Sequence, residues 1–253
     1  KAIMPSILEE LLKSRKATKK QMAKEEDPFL KNVLDKRQNS IKITANSLYG
    51  QTGAKTSSFY EVDVAASTTA TGRKLLTYAK RLIEEVYGDK VVDTKYGKMR
   101  SRAEYIYGDT DSVFFTFNFE TLEGEKVTGK KALEMTIDLA QEAGALATSQ
   151  LKNPHDLEYE KTFMPFCLLS KKRYVGMLYE LDPDKGKRKS MGIVLKRRDN
   201  APIVKYIYGG IIDLILNKQD IDKAARFFVK SVQLMLEEKF ELEYFIVSKT
   251  LKG

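Results

Sequence analysis

Apolar Ile7, Leu8, Leu11 and Leu12 form a stripe, and the bases Lys13, Arg15, Lys16, Lys19, Lys20 and Lys24 follow. That order predicts a helix from Pro5 to about Glu26, greasy at its start and cationic beyond. Asp27-Pro28 then offers an N-cap with proline at the first helical position, so a second helix is expected from about Pro28 to Tyr49, stopped by Gly50. Two helices of about 20 residues joined by so short a turn must lie antiparallel, as a hairpin ~30 Å long. Gln51 to Tyr60 reads as a loop. Ala65 to Val86 is helical again, with Leu75, Leu76, Ala79, Leu82 and Ile83 apolar. The glycine- and lysine-rich stretch from Gly88 to Arg102 reads as a loop or a weak strand. From Ala103 to Phe119, aromatic and β-branched residues flank a Gly-Asp-Thr-Asp turn, which is a hairpin signal. Thr128 to Leu151 is helical, and Asp156 to Leu181 reads as two strands around Ser170-Lys171-Lys172-Arg173. Pro183 to Lys189 reads as a basic turn-like connection. Ile203 to Leu216 and Asp220 to Glu238 close the pattern as two amphipathic helices. Strands grouped in the middle with helices on either side make the fold class α+β.

Composition narrows the chemistry. The 253 residues include one Cys (Cys167), one His and no Trp, with 44 Lys plus Arg against 35 Asp plus Glu. One cysteine excludes an internal disulfide framework and fits a reducing compartment. One cysteine with one histidine also argues against a zinc site, a Ser-His-Asp triad or a Cys-His dyad. No apolar run approaches the ~20 residues that span a bilayer. The net charge of +9 points only weakly to a polyanionic partner, and a basic surface alone is the favoured explanation until the charges prove to be placed. Neither GxGxxG nor Walker A is present. Catalysis, if any, must run on carboxylates, lysines, arginines and tyrosines.

Three constellations could carry it. In Tyr107-Gly108-Asp109-Thr110-Asp111-Ser112, two aspartates two apart project from one tight turn. Their repulsion calls for a counter-charge, and a hard divalent cation such as magnesium supplies it. A bare Asp-x-Asp is usually just an acidic turn; the aromatic and β-branched flanks, those of a buried sheet, favour the metal reading. On the second helix Lys42, Asn46 and Tyr49 share one face at i, i+4 and i+7, beside a stripe of Ile41, Ala45 and Leu48 that should be buried. Arg15 and Lys19 on the first helix, folded back toward Lys42, would make three cations converging on a triphosphate. Lys16, Lys20 and Lys24 keep the reading of a solvated face. The third group, Lys171-Lys172-Arg173-Tyr174 with Lys196-Arg197-Arg198, suits contacts to phosphodiesters.

Together these segments closely resemble family B (α-like) DNA polymerases. Lys42-Ile-Thr-Ala-Asn46-Ser47-Leu-Tyr49-Gly50 is similar to the family's fingers-helix motif, and Tyr107-Gly-Asp109-Thr-Asp111-Ser112 to its palm motif. Lys171-Lys172-Arg173-Tyr174 resembles its primer-side motif, in the family's order. Gly192-Ile-Val-Leu-Lys-Arg-Arg-Asp-Asn-Ala-Pro202 looks most like the delta-like branch of large DNA viruses. The resemblance implies fingers over 1–53, palm over 54–196 and the start of a thumb over 197–253. Asp109 and Asp111 would hold two magnesium ions, with manganese as a substitute, and Glu160 would lie near them, with Glu158 competing for that role. Lys42 would contact the incoming triphosphate and protonate the pyrophosphate. Arg15 and Lys19 would bind phosphates, and Asn46 and Tyr49 would line the nascent base pair. Lys171, Lys172, Arg173, Tyr174, Lys196, Arg197 and Arg198 would hold DNA.

The implied reaction transfers a nucleotide from a deoxynucleoside triphosphate to a primer 3′-hydroxyl by a two-metal mechanism. The implied partners are primer-template DNA, deoxynucleoside triphosphates and a sliding clamp reached through other parts of the polypeptide. The implied setting is intracellular, at a site of DNA replication: the host nucleus, or a viral factory for a viral enzyme. The family's other palm motif, Asp-x-x-Ser-Leu-Tyr-Pro with its own aspartate, is missing from the sequence, which opens at Lys1-Ala-Ile-Met-Pro. A fragment of a longer polypeptide, nearly inactive alone, is therefore expected. The alternatives are a non-catalytic primer-template-binding fragment and, further off, a polymerase that makes or copies RNA.

Overall fold

The computed structural model describes residues 2–193, 195 and 199–249. Among them lie six α-helices and three small antiparallel sheets, the mixed α+β class that the residue pattern predicts. The chain divides into two compact units, Lys1–Leu75 and Leu76–Gly253.

The first unit holds α1 (Ile3–Lys24), α2 (Pro28–Gly53) and the opening turns of α3 (Val62–Tyr87). The Asp27 carboxylate accepts a hydrogen bond from the Phe29 backbone N–H at 2.8 Å, with Pro28 in the first helical turn. That cap satisfies a donor the helix itself cannot reach. The two helices pack against each other along their length. On α1, Leu8 and Leu11 are half-buried, but Ile7 and Leu12 are exposed, because the packed face follows the helical repeat through Leu8, Leu11, Arg15 and Thr18. On α2, Ile41, Ala45 and Leu48 are half-buried, not buried, while Lys42, Asn46 and Tyr49 are exposed. Gly50 does not end α2. One internal glycine costs a helix only about 1 kcal/mol, and α2 continues to Gly53 with the Thr52 hydroxyl bonded to the Tyr49 carbonyl.

In the second unit, β1 (Lys90–Thr94) pairs with β2 (Gly97–Ser101), and β3 (Glu104–Asp109) pairs with β4 (Ser112–Thr116). The lysine-rich stretch after Gly88 is thus a hairpin, closed through Gly97 at φ +96°. Next come α4 (Gly129–Gln150), the sheet β5–β6–β7 (Thr162–Ser170, Arg173–Tyr179, Lys187–Met191), α5 (Pro202–Lys218) and α6 (Ile221–Leu236). Strand β7 occupies the segment that composition assigns to a turn. Its bases alternate along an exposed edge, and an edge strand needs no apolar signature.

Two cores hold this unit. Ile83 and Tyr87 of α3 meet Met99, Phe117, Phe119 and, from α4, Met135, Leu139 and Ala143. Val175 of β6, Ile193, and Ile212 and Leu216 of α5 form the second. Each large apolar side chain so buried contributes about 1.5–3 kcal/mol. The β3–β4 hairpin is only half-buried, and its rings stack on the other sheet: Phe114 lies 5.6 Å from both Phe166 and Tyr174. No helix among the described residues is long and apolar enough to cross a membrane.

Candidate active site

Asp109 ends β3 and Ser112 opens β4, so Thr110 and Asp111 alone form the turn. The Asp111 N–H donates to the Asp109 carbonyl at 2.7 Å, a three-residue turn with Thr110 at φ +58°. A β-branched residue in that region is strained. The Thr110 hydroxyl lies 3.2 Å from an Asp109 carboxylate oxygen, and the Ser112 hydroxyl donates to the Asp109 carbonyl at 3.1 Å. Behind the acids, a Cβ added at Gly108 would meet the Tyr105 hydroxyl at 2.6 Å and Leu76 at 3.1 Å. Glycine there lets the strand lie flat beneath its neighbours.

The Lys171-Lys172 turn between β5 and β6 docks on this tip. The Lys172 N–H donates to the Tyr107 hydroxyl at 2.8 Å, and its ammonium donates to both Asp109 carboxylate oxygens, at 2.6 and 2.7 Å. Tyr107 and Tyr174 also meet ring to ring. The first constellation and the Lys172–Tyr174 part of the third are therefore one cluster. The hydrogen bond from Lys172 holds the Asp109 carboxyl below its ordinary value, and the same contact raises the Lys172 ammonium. Burial raises the Tyr174 phenol.

Asp111 is exposed, and its carboxylate has no hydrogen-bond or ion-pair partner among the described residues. It lines a cavity of about 660 Å³ with Glu158 and Glu160, beside β4, α4 and β5. Glu160 is itself exposed and pairs with Lys161 at 2.9 Å. Two carboxylates two residues apart fit a hard divalent cation as a donor set, since magnesium is commonly held by one or two carboxylates plus substrate phosphates. Lys172 stands on Asp109 where such a counter-charge would act. No group of three or more His, Cys, Asp or Glu able to hold a metal occurs among the described residues.

In the first unit, Arg15 is half-buried and its guanidinium donates to the Gln38 side chain at 3.3 Å. Carried along the antiparallel pair, this contact sets Lys19 about one turn toward the closed end and Lys42 about one turn toward the open end. Their backbone positions thus span roughly 12 Å along the helix axes. The Tyr49 hydroxyl is tied to the Thr69 hydroxyl at 3.1 Å. Lys171 and Arg173 are exposed. Lys196, Arg197 and Arg198 lie outside the described residues. Sequence reasoning missed the Lys172–Asp109 pair, for which spacing carries no signal.

Comparison with known proteins decides the family. The model of DNA polymerase family B matches residues 1–253. The chain belongs to this family. It is 50% identical over 224 residues to a DNA polymerase of Pyramimonas orientalis virus, covering 88% of this chain and 17% of that protein. A DNA polymerase of Phaeocystis pouchetii virus is 58% identical over 167 residues, 66% of this chain and 16% of the relative. The DNA polymerase delta catalytic subunit of Candida albicans is 36% identical over 250 residues, 98% of this chain and 22% of that subunit. The chain thus spans about a fifth of the length of these family B relatives.

Proposed function

We propose that this chain supplies the nucleotide-binding fingers, most of the palm and the start of the thumb of a DNA-directed DNA polymerase, over residues 1–53, 54–196 and 197–253. The reaction is transfer of a deoxynucleotide from its triphosphate to a primer 3′-hydroxyl, directed by a template. The observation that carries the reading is the paired tip, with Asp109 engaged by Lys172 and Asp111 open to a ligand, in a chain matched end to end by family B.

Asp109 and Asp111 would hold magnesium, which when bound neutralises charge on the transferring phosphates. Glu160 lines the same cavity as Asp111 and would orient water or substrate there. Lys42, Arg15 and Lys19 offer a row of cations to a triphosphate, and phosphoryl transfer asks mainly for positioning and charge stabilisation. Asn46 and Tyr49 share the face of Lys42 and would touch the nascent base pair. Lys171, Lys172, Arg173 and Tyr174, with Lys196, Arg197 and Arg198, would hold the primer-template duplex through its phosphates.

The test uses the whole protein containing this chain. Asp111→Asn should abolish nucleotide incorporation while duplex binding stays equal or tightens slightly, because a negative charge beside DNA is lost. Lys42→Ala should lower turnover and weaken apparent nucleotide affinity. Wild-type turnover in Asp111→Asn would overturn the reading.

A further inference from the structure

We infer that β7 is a second phosphodiester-binding element, which grips a nucleic-acid duplex through Lys187 and Lys189. The inference rests on the polymerase reading for the identity of the duplex. Antiparallel partners share a face of the sheet, and register fixes which face each base occupies. Lys187 lies opposite Leu178, Lys189 opposite Gly176 and Met191 opposite Tyr174. Across β6, Gly176 pairs with Phe166 and Tyr174 with Leu168. Lys187 and Lys189 therefore stand on the face that carries Tyr174 and Phe166, the face stacked on Phe114 of the Asp109 hairpin.

Arg188 points the other way. It pairs with Met177, beside the buried Val175, and its guanidinium is bonded to Asp213 of α5. The strand thus separates an arginine engaged by Asp213 from two lysines on the opposite face, though all three are exposed. Both lysines are exposed and make no ion pair among the described residues. Of the three acids in the preceding loop, Glu180, Asp182 and Asp184, the last two are engaged by Lys185 and Lys130.

An edge strand carries lysine simply to resist pairing with another chain. Two observations go beyond that. None of the residues in β5, β6 or β7 is Asp or Glu, though a carboxylate would protect an edge equally well. In the same sheet the turn joining β5 to β6 sets Lys172 on Asp109, and Lys189 and then Lys187 follow along β7 from Met191, which lies opposite Tyr174. An edge strand with two lysines on one face, in a sheet whose strands lack acids, fits a regularly spaced polyanion, and a duplex that leaves the site along that face meets Lys189 and then Lys187.

The experiment measures duplex DNA binding by the whole protein against salt concentration. Lys187→Ala with Lys189→Ala should lower the magnitude of the log–log salt slope by about 1.8, which is ~0.9 per phosphate contact removed. Binding should weaken alike on unrelated duplex sequences. Lys187→Gln with Lys189→Gln should behave the same, and Arg188→Gln should leave the slope unchanged. An unaltered slope in both double variants overturns the inference, whatever the outcome for nucleotide incorporation. If incorporation is absent from the wild type while the slope still falls, the duplex surface stands and the polymerase reading fails.

Discussion

The ammonium of Lys172 sits 2.6 and 2.7 Å from the two carboxylate oxygens of Asp109 and joins loops 63 residues apart. A cation already rests on one of the two acids. Lys172→Ala would leave both carboxylates open to a metal, so manganese binding without nucleotide, read by electron paramagnetic resonance, should tighten several-fold. Unchanged manganese affinity would reject Asp109 as a cation ligand.

Thr110 holds φ +58° with a branched side chain. The left-handed region costs a non-glycine residue about 1–2 kcal/mol, and glycine gives back part of that gain through a freer unfolded chain. Thr110→Gly should therefore raise stability by a net amount on the order of 0.5–1 kcal/mol. Denaturant titration checks this, and a loss of stability would show that the Thr110 hydroxyl outweighs the strain.

Gly176 lies where a Cβ would come within 2.6 Å of the Pro165 carbonyl oxygen and 2.9 Å of the Phe163 ring. Backbone cannot step aside as a flexible side chain can. Gly176→Ala should lower stability by about 1–3 kcal/mol, the cost of overpacking. A neutral result in thermal melts would mean that β5 and β6 separate more easily than their pairing suggests.

Burial, and then a 3.0 Å hydrogen bond to Glu142, push the Tyr87 phenol above its ordinary 10.0. The folded state holds this proton more tightly than the unfolded one. Its contribution is complete below pH 10.0 and is lost as pH rises toward the folded value. Tyr87→Phe should flatten that alkaline loss and, at neutral pH, cost about 0.5–1.5 kcal/mol for the hydrogen bond. Melting temperature against pH in the two proteins checks the sign: an equally steep alkaline limb would place the titration elsewhere.

The helical hairpin was legible because Asp27-Pro28 punctuates it, and the Asp109–Ser112 turn because strand-forming residues bracket a Gly-Asp signal. β1 and β2 were legible only as a loop or a weak strand, and β7 was not legible. Their outward positions carry Lys, Arg and Asp, and an exposed hairpin or edge strand shows little of the alternation that marks a half-buried one. The site was readable as separate motifs. Its assembly was not, because Lys172 meets Asp109 through tertiary docking of two turns and no local pattern encodes that distance. Nor does threonine at position 110 advertise a left-handed backbone, since asparagine or glycine would be the usual choice.

Tyr107 serves two masters. Its ring packs against Phe114 and Tyr174, while its oxygen receives the backbone proton of Lys172. The acidic loop and the basic loop are thereby clamped to one oily plug, and neither can drift without dragging the other. Accuracy at the tip is set from underneath: a badly fitted ring at Phe163 or Phe166, half-buried in the greasy layer, would be felt at once by the carboxylates above it.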